Sequence, residues 1–437
     1  MTQFIKIRNY NSIFLKKNPP TLLSFTTYSI IIGKMIRNVG SNRYASDSPF
    51  TKELIYRMNL SDLARNAHML TGSLARRGYM RWWHSFSGIQ PETGEQRTFF
   101  VEFFCINPGL GCDQPILGQH PYFKKRGLRP SYVMIKAGVY PNAQGKGGKQ
   151  LHAFYPVSSL KTTQSPLTMQ VEDCLYSESR LSGYIDVSWQ EARHRSLMTN
   201  AGSMEWDLEV SKMVSCHTGL LAGRFFQALN ALDSYWHGEG IRSFFKGTVT
   251  LDGTVYQVSP DTSYGYADKH WGRSFNRPWV QLASCRLTSE RTGKELRSSV
   301  LAVSGCCPRF LFIPLRHKLM IQLTYTGEDY EFGFPRPFLL SRCKWETKET
   351  NKRYIWHITA RNRNAVIKIS GNCVKEQMMP LLYENPDGIK PRNPLLSGGC
   401  GTGTVQIFRR TPGGRELLDT LHMENMLCAY RGQRSAD

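Results

Sequence analysis

Short alternations of apolar and polar residues, separated by turn residues, run along most of this chain and predict strands. The clearest pair spans Phe244–Val258. There two alternating segments flank Asp252-Gly253, a dipeptide suited to the positive φ angles of a type I′ hairpin turn. Tyr79–Ser87 leads through Pro91-Glu-Thr-Gly94 into Arg97–Phe104. The same order of aromatic strand, Thr-Gly turn and second strand returns at Trp279–Leu287, Arg291-Thr-Gly293 and Leu296–Ser304. That repetition predicts two related β modules rather than one large sheet. Further strand–turn–strand signals lie at Ile321–Phe334, at Arg353–Ala360 with Ala365–Ser370, and at Thr404–Arg409 with Glu416–His422 around Pro412-Gly-Gly414.

Two segments read as helix. Residues 61–75 form a short one, capped by Ser61 with Gly72 near its end. In Gly219–Trp236, apolar Leu221, Phe225, Leu229, Leu232 and Trp236 recur every three or four residues, and Gly238 is placed to stop the helix. An interfacial lid would need a strongly charged polar face, and only Arg224 and Asp233 are charged here, so packing across a barrel mouth is the preferred reading. The fold expected is all-β: two lipocalin-like modules of barrel or sandwich type, 66–258 with the central helix at about 219–236, and 259–432.

Composition narrows the class. At 437 residues the chain exceeds one ordinary core, and with 41% hydrophobic and 21% charged residues it is globular. Its eleven cysteines show no Cys-x-x-Cys pair, and Cys306 and Cys307 are adjacent, which suits buried free thiols in a reducing compartment, cytoplasm or organelle. No zinc spacing occurs and no metal is expected. Of the net charge of +22, residues 1–46 carry seven cations and no acid, leaving +15 spread over the body without a Lys/Arg block. With no nucleic-acid motif beside that charge, nucleic acid is not expected as a partner. Residues 1–46 lie outside the expected fold and suit either an organellar transit peptide or a start placed upstream of Met35. Their apolar run Leu22–Ile32 is shorter than the ~20 residues that span a bilayer; peripheral membrane contact stays open. Gly145-Lys-Gly-Gly-Lys149 and Gly398-Gly-Cys-Gly-Thr-Gly403 lack the spacing and helix of phosphate loops and read as turns, so no nucleotide cofactor is expected.

Candidate chemistry gathers in Tyr264–Trp279, read as a loop leaving the Asp252-Gly253 hairpin. It places Asp268 and Lys269 among Tyr266, His270, Trp271 and Trp279, an aromatic setting that perturbs ionisable groups. Asp268 is a candidate general acid with Lys269 as its orienting partner; the bland reading is an ion pair that fixes the loop. Trp82 and Trp83 are candidate pocket walls or core. Glu205, Trp206, His237 and Glu239 are secondary candidates, with His237 and Glu239 on one face if their segment is extended. Arg76, Arg77 and Arg81 are assigned to solvent.

The stretch Tyr266-Ala-Asp-Lys-His-Trp-Gly272, preceded by the hairpin and followed by the aromatic strand at Trp279, resembles the tocopherol cyclase family. Plant members read Tyr-Ser-Glu-Lys-Asn-Trp-Gly there, and bacterial tocopherol cyclase-like proteins read Tyr-Ala-Asp-Lys-Asn-Trp-Gly. Gly78–Trp83, Glu172–Cys174, Met204–Leu208, Trp236–Gly240 and Glu424-Asn425 fall in the family's order, so the resemblance covers roughly 66–432. It implies a hydrophobic small-molecule partner, an isoprenoid or prenylated quinol, and cyclisation by proton transfer without metal or redox cofactor. Asp268 would be the acid, Lys269 its partner, and the aromatics the walls. Asp for Glu shortens the carboxyl reach by one methylene and His270 replaces Asn, which puts the plant substrate in doubt. Alkene hydration, another cyclisation, and non-catalytic carriage of a hydrophobic ligand are the alternatives; a buried Asp268 with a raised pKa favours the enzymes.

Overall fold

The computed structural model describes residues 66–111, 113–164, 166–216, 232–263, 265–274, 279–307, 309–310, 313–314, 318–333, 341–389 and 393–432. The N-terminal extension, Tyr264 and residues 219–231 of the expected central helix lie outside them. All described residues belong to one compact unit, Leu54–Asp437.

The chain is all-β. The first sheet is built from β1 (Tyr79–Ile89), β2 (Gln96–Ile106), β3 (Tyr132–Val139), β4 (Lys149–Tyr155), β5 (Leu160–Gln164), β6 (Leu167–Val171), β7 (Cys174–Ser177), β8 (Arg180–Val187), β9 (Gly202–Val214), β10 (Ser234–Leu251), β11 (Thr254–Val258) and β12 (Gly265–Gly272). Its order is β4-β3-β2-β1-β11-β10-β9-β8-β7-β6-β5, with β12 inserted between β1 and β10. β4 curls round to touch β8 and β9, so the antiparallel meander approaches the closed form of a lipocalin-like module.

The second sheet follows with β13 (Trp279–Ser284), β14 (Leu287–Ser289) and β15 (Val300–Cys306). A two-stranded ribbon of β16 (Arg309–Phe310) and β17 (Ile313–Pro314) intervenes. The sheet resumes with β18 (Lys318–Tyr325), β19 (Glu328–Gly333), β20 (Arg342–Glu349), β21 (Arg353–Arg361), β22 (Ala365–Val374), β23 (Met379–Leu381), β24 (Leu395–Thr411) and β25 (Gly414–Arg431). Its order is β19-β18-β15-β13-β25-β24-β22-β21-β20.

Sequence periodicity accounts for these strands in two ways. β9, β21 and β22 alternate buried with less buried positions, as half-covered strands do, whereas β1, β3 and β12 are buried on both faces. The Asp252-Gly253 hairpin is as expected: Leu251 pairs with Thr254, and φ is 48° at Asp252 and 82° at Gly253. The repeated Thr-Gly turns are built alike. Gly94 N–H donates to Gln90 O at 2.9 Å and Gly293 N–H to Ser289 O at 2.8 Å, with φ 71° and 65° at the two glycines.

Several expectations change. The stretch after the hairpin is a strand, not a loop, because β12 finds unpaired edges on both β1 and β10. It therefore belongs to the first sheet, and the change of sheet falls after Gly272 rather than at 258. Ser234–Trp236 open β10 instead of closing a helix. Gly72 precedes the short helix Ser73–Arg76 rather than ending it. Gly398–Gly403 lies within β24, where the register against β25 slips twice, rather than forming a turn. The ten described cysteines are free thiols, seven of them buried.

A candidate acid site between the two sheets

Strand alternation sorts the central residues onto two faces. Across β1 and β12, Trp83 stands opposite Asp268 and Trp82 opposite Lys269. Asp268, His270, Trp83 and Arg81 thus share the face turned to the second sheet, while Lys269, Trp271, Trp82 and His84 point into the first. Neighbours in a strand cannot aim at one reacting atom, so Lys269 is not the partner of Asp268. Arg81 is: its Nη2 lies 3.9 Å from Asp268 Oδ1, and it is 4% exposed rather than solvated. Arg76 and Arg77 are exposed as expected.

Asp268 is wholly buried, and its two carboxyl oxygens differ. Oδ2 accepts hydrogen bonds from Trp236 Nε1 at 2.9 Å, Tyr266 Oη at 2.9 Å and Gln281 Nε2 at 2.8 Å. Oδ1 accepts none among the described residues. Burial raises the pKa, and Arg81 with the three donors opposes it without cancelling it. The protonated form is therefore favoured relative to an ordinary aspartate, with Oδ1 the oxygen left to carry the proton.

Arg81 is the hub of the surrounding charge. Nη1 donates to Tyr383 Oη at 3.1 Å and lies 3.8 Å from Glu102 Oε1, and the guanidinium sits 5.2 Å from the Trp83 ring. Tyr383 in turn donates to Glu102 Oε2 at 2.8 Å, and Lys136 Nζ stands 3.4 Å from that oxygen. Burial lowers the Lys136 pKa to about 8, with Glu102 opposing. His270 is held neutral, its pKa well below the usual value through burial and through Arg81 and Arg431; Nδ1 lies 2.7 Å from Tyr79 Oη and the ring packs on Trp279. Tyr383, Gln281 and Trp279 all come from the second sheet or its connections, so neither sheet alone completes the site.

Residues 239–393 match the family model described as tocopherol cyclase-like. That match covers about a third of the chain. The match is narrower than 66–432, yet it holds Tyr266, Asp268, Gln281 and Tyr383. Among solved structures, a putative AttH from Nitrosomonas europaea aligns at 12% identity over 79% of this chain and 92% of its own, with a TM-score of 0.38. Kievitone hydratase from Nectria haematococca aligns at 11% identity over 83% and 93%, with a TM-score of 0.37. No curated protein matches the sequence.

The inner face of the first sheet carries a second polar group. Lys212 Nζ donates to Tyr176 Oη at 2.7 Å and to Glu178 Oε2 and Glu239 Oε2, both at 2.9 Å, while Tyr176 donates to Glu239 Oε2 at 2.6 Å. Lys269 Nζ donates to the Ala67 carbonyl and sits 5.0 and 5.1 Å from the Trp82 and Trp271 rings. Burial drives its pKa well below the lysine value. His237 is buried opposite Lys269 on the same face.

Of the sequence candidates, then, Asp268, Tyr266, His270, Trp279 and Trp83 meet at the seam, and Lys269, Trp271, Trp82 and His237 lie on the inner face. Trp206 is buried on β9 between Gly183 and Val249, away from both. Glu205 is exposed on the opposite face of β9. Trp236, Gln281, Arg81, Glu102, Lys136 and Tyr383 were not foreseen as site residues. Among the described residues no three His, Cys, Asp or Glu side chains form a group able to hold a metal ion.

Proposed function

We propose that this protein is an acid-catalysed cyclase of a prenylated quinol or a related isoprenoid phenol. Asp268 supports the reading: a buried carboxyl with a raised pKa, one oxygen pinned by three donors and the other free of them. A carboxylic acid so held can protonate an alkene, which water-exposed carboxylates at neutral pH do not. The proton on Oδ1 goes to the less substituted alkene carbon, leaving a tertiary cation. The phenol oxygen captures that cation to close the ring, and the phenol proton returns to the carboxylate. Arg81 stabilises the carboxylate while it is charged, and the Trp236 ring, whose Nε1 donates to Oδ2, stands beside the acid to face the cation.

Addition of water to the same cation, giving an alcohol, is the second enzymatic outcome. The residues of the seam do not distinguish the two. Burial of Asp268 with a raised pKa counts against a mere carrier, for which a solvent-facing Asp–Lys pair over an apolar cavity would be expected.

The test incubates the full chain with a prenylated hydroquinone kept reduced and separates the products by chromatography with mass detection. A ring-closed isomer supports the cyclase, and a product one water heavier moves the assignment to hydratase. Asp268→Asn should lose either product while still retaining the quinol in native mass spectrometry. Retention by the parent with no turnover of any isoprenoid phenol would leave a carrier and end the catalytic reading.

A further inference from the structure

Beside the acid site lies a small cavity of about 20 Å³, room for a group no larger than a water or one end of a small oxyanion. Its wall holds Arg81, Arg431, Trp279, Tyr79, His270 and Ser234. Arg81, Arg431 and Trp279 each bury an N–H donor that meets no acceptor among the described residues: Nε of both arginines and Nε1 of the tryptophan. Arg431 is the sharpest case. It is 4% exposed, and no carboxylate contributes to its electrostatic surroundings; burial and the neighbouring Arg81 pull its pKa down to about 10, against Tyr79 and Tyr383. An uncompensated guanidinium in a protein interior costs several kcal/mol, and native structures seldom leave such donors unmatched.

The local charge points the same way. Arg81, Lys136 and Arg431 are set against the carboxyls of Glu102 and Asp268, and Asp268 is the one whose protonation burial favours. The seam is therefore short of negative charge, and the shortage is greatest at the cavity.

We propose that this cavity binds an oxyanion, a carboxylate or phosphate group, held between the guanidinium groups of Arg81 and Arg431 with Trp279 Nε1 as a further donor. Guanidinium N–H groups match the spacing of carboxylate and phosphate oxygens, and a pair of them facing one cavity is a recognition device for such groups. The site does not depend on the role of Asp268. It does touch it, because an anion on Arg81 weakens the field that opposes protonation of Asp268 at 3.9 Å.

The experiment is calorimetric titration and thermal denaturation of the full chain with sodium acetate, benzoate and phosphate, each against chloride at equal ionic strength. The expected result is one equivalent of oxyanion bound with a rise in Tm that chloride does not reproduce. Binding of benzoate alone identifies the site as the seat of an apolar acid's head group; equal binding of phosphate identifies a free oxyanion. Arg431→Met should abolish the response and, without anion, melt no lower than the parent, since an unpaired buried charge has been removed. Arg431→Lys, which keeps the charge but loses the fork, should weaken binding by about tenfold or more. An oxyanion response no larger than that of chloride would overturn the proposal. So would a folded Arg431→Lys or Arg431→Met that binds as the parent does.

Discussion

The β1–β2 and β13–β15 hairpins start from the same turn, with the same glycine hydrogen bond, and then diverge. β1 and β2 bury Arg81, His84 and Glu102 among their aromatics; β13 and β15 bury Gln281, Ser284 and Ser304 among Val280, Leu282, Leu301 and Val303. The second sheet does bury Asp419, but at the rim, where the Ser289 and Tyr325 hydroxyls and the Arg291 N–H satisfy it. Arg431, at the end of β25, is buried where that sheet meets the seam, and away from the seam the core is apolar, around Trp356, Ile367 and Val405. Burying an ion costs several kcal/mol unless it is closely paired. Buried ions thus recur along the first sheet and the seam and are sparse in the second core, the distribution that the proposed acid site would require.

The most direct way to break that comparison is to remove the acid. Asp268→Asn keeps the size and the three donor contacts' partner oxygen, and should lower turnover of an isoprenoid phenol by about 10³-fold with little change in Tm, read by initial rates beside a melting curve. If both fell together, the seam would be structural like the second core. The converse variant is Trp356→Ala. Trp356 is fully buried against Tyr354 and Tyr430, so its loss should cost about 3–5 kcal/mol of stability. Denaturant titration checks this, and the fraction still folded should turn over substrate at the parent rate.

Much of the architecture was legible beforehand because strand period and turn residues are local. The Asp252-Gly253 hairpin, both Thr-Gly turns and the β21–β22 and β24–β25 pairs all follow from neighbours within a few residues. Asp268 was legible from its aromatic setting. Its partners were not, since Gln281 and Tyr383 reach it or Arg81 from another sheet. Lys269 misled because adjacency in sequence looks like proximity, whereas in a strand it guarantees opposite faces. A signal for the missed charges was present. Arg81 sits in Tyr-Met-Arg-Trp-Trp, Glu102 in Phe-Phe-Val-Glu-Phe-Phe and Lys136 in Val-Met-Ile-Lys-Ala. A single charge inside an apolar strand run has no solvent face to occupy and needs a partner of opposite sign.

The seam should also carry the pH dependence that the second core lacks. Glu384 is buried and accepts hydrogen bonds from the backbone N–H of Gly118 at 3.2 Å and of Gln119 at 2.5 Å. Burial nevertheless raises its pKa from 4.5 to about 7. The folded state then holds this proton more tightly than the unfolded chain. Its contribution is fully present below pH 4.5 and is lost as pH rises through about 7. Glu384→Gln should flatten that part of the stability curve, a difference of about 3 kcal/mol between its ends. Chemical denaturation at a series of pH values reads it, and an unchanged slope would place the dependence elsewhere.

The smallest effect tests the narrowest link between the halves. Gln281 is the second sheet's direct contact with the acid, its Nε2 donating to Tyr266 Oη at 2.6 Å and to Asp268 Oδ2 at 2.8 Å. Donation to the carboxylate favours its charged form, so the contact lowers the pKa that burial has raised. Gln281→Leu keeps most of the volume and removes the donor. The pKa of Asp268 should then climb further, and the limb of the pH–rate profile on which activity falls with rising pH should move to higher pH. Turnover on the plateau should change by about tenfold at most, since Tyr266 and Trp236 still hold Oδ2. A uniform loss of rate at every pH, with the limb unmoved, would mean that Gln281 only packs the seam. The second sheet would then act on the chemistry through shape alone. A moved limb would mean that it helps set the proton affinity on which the chemistry depends.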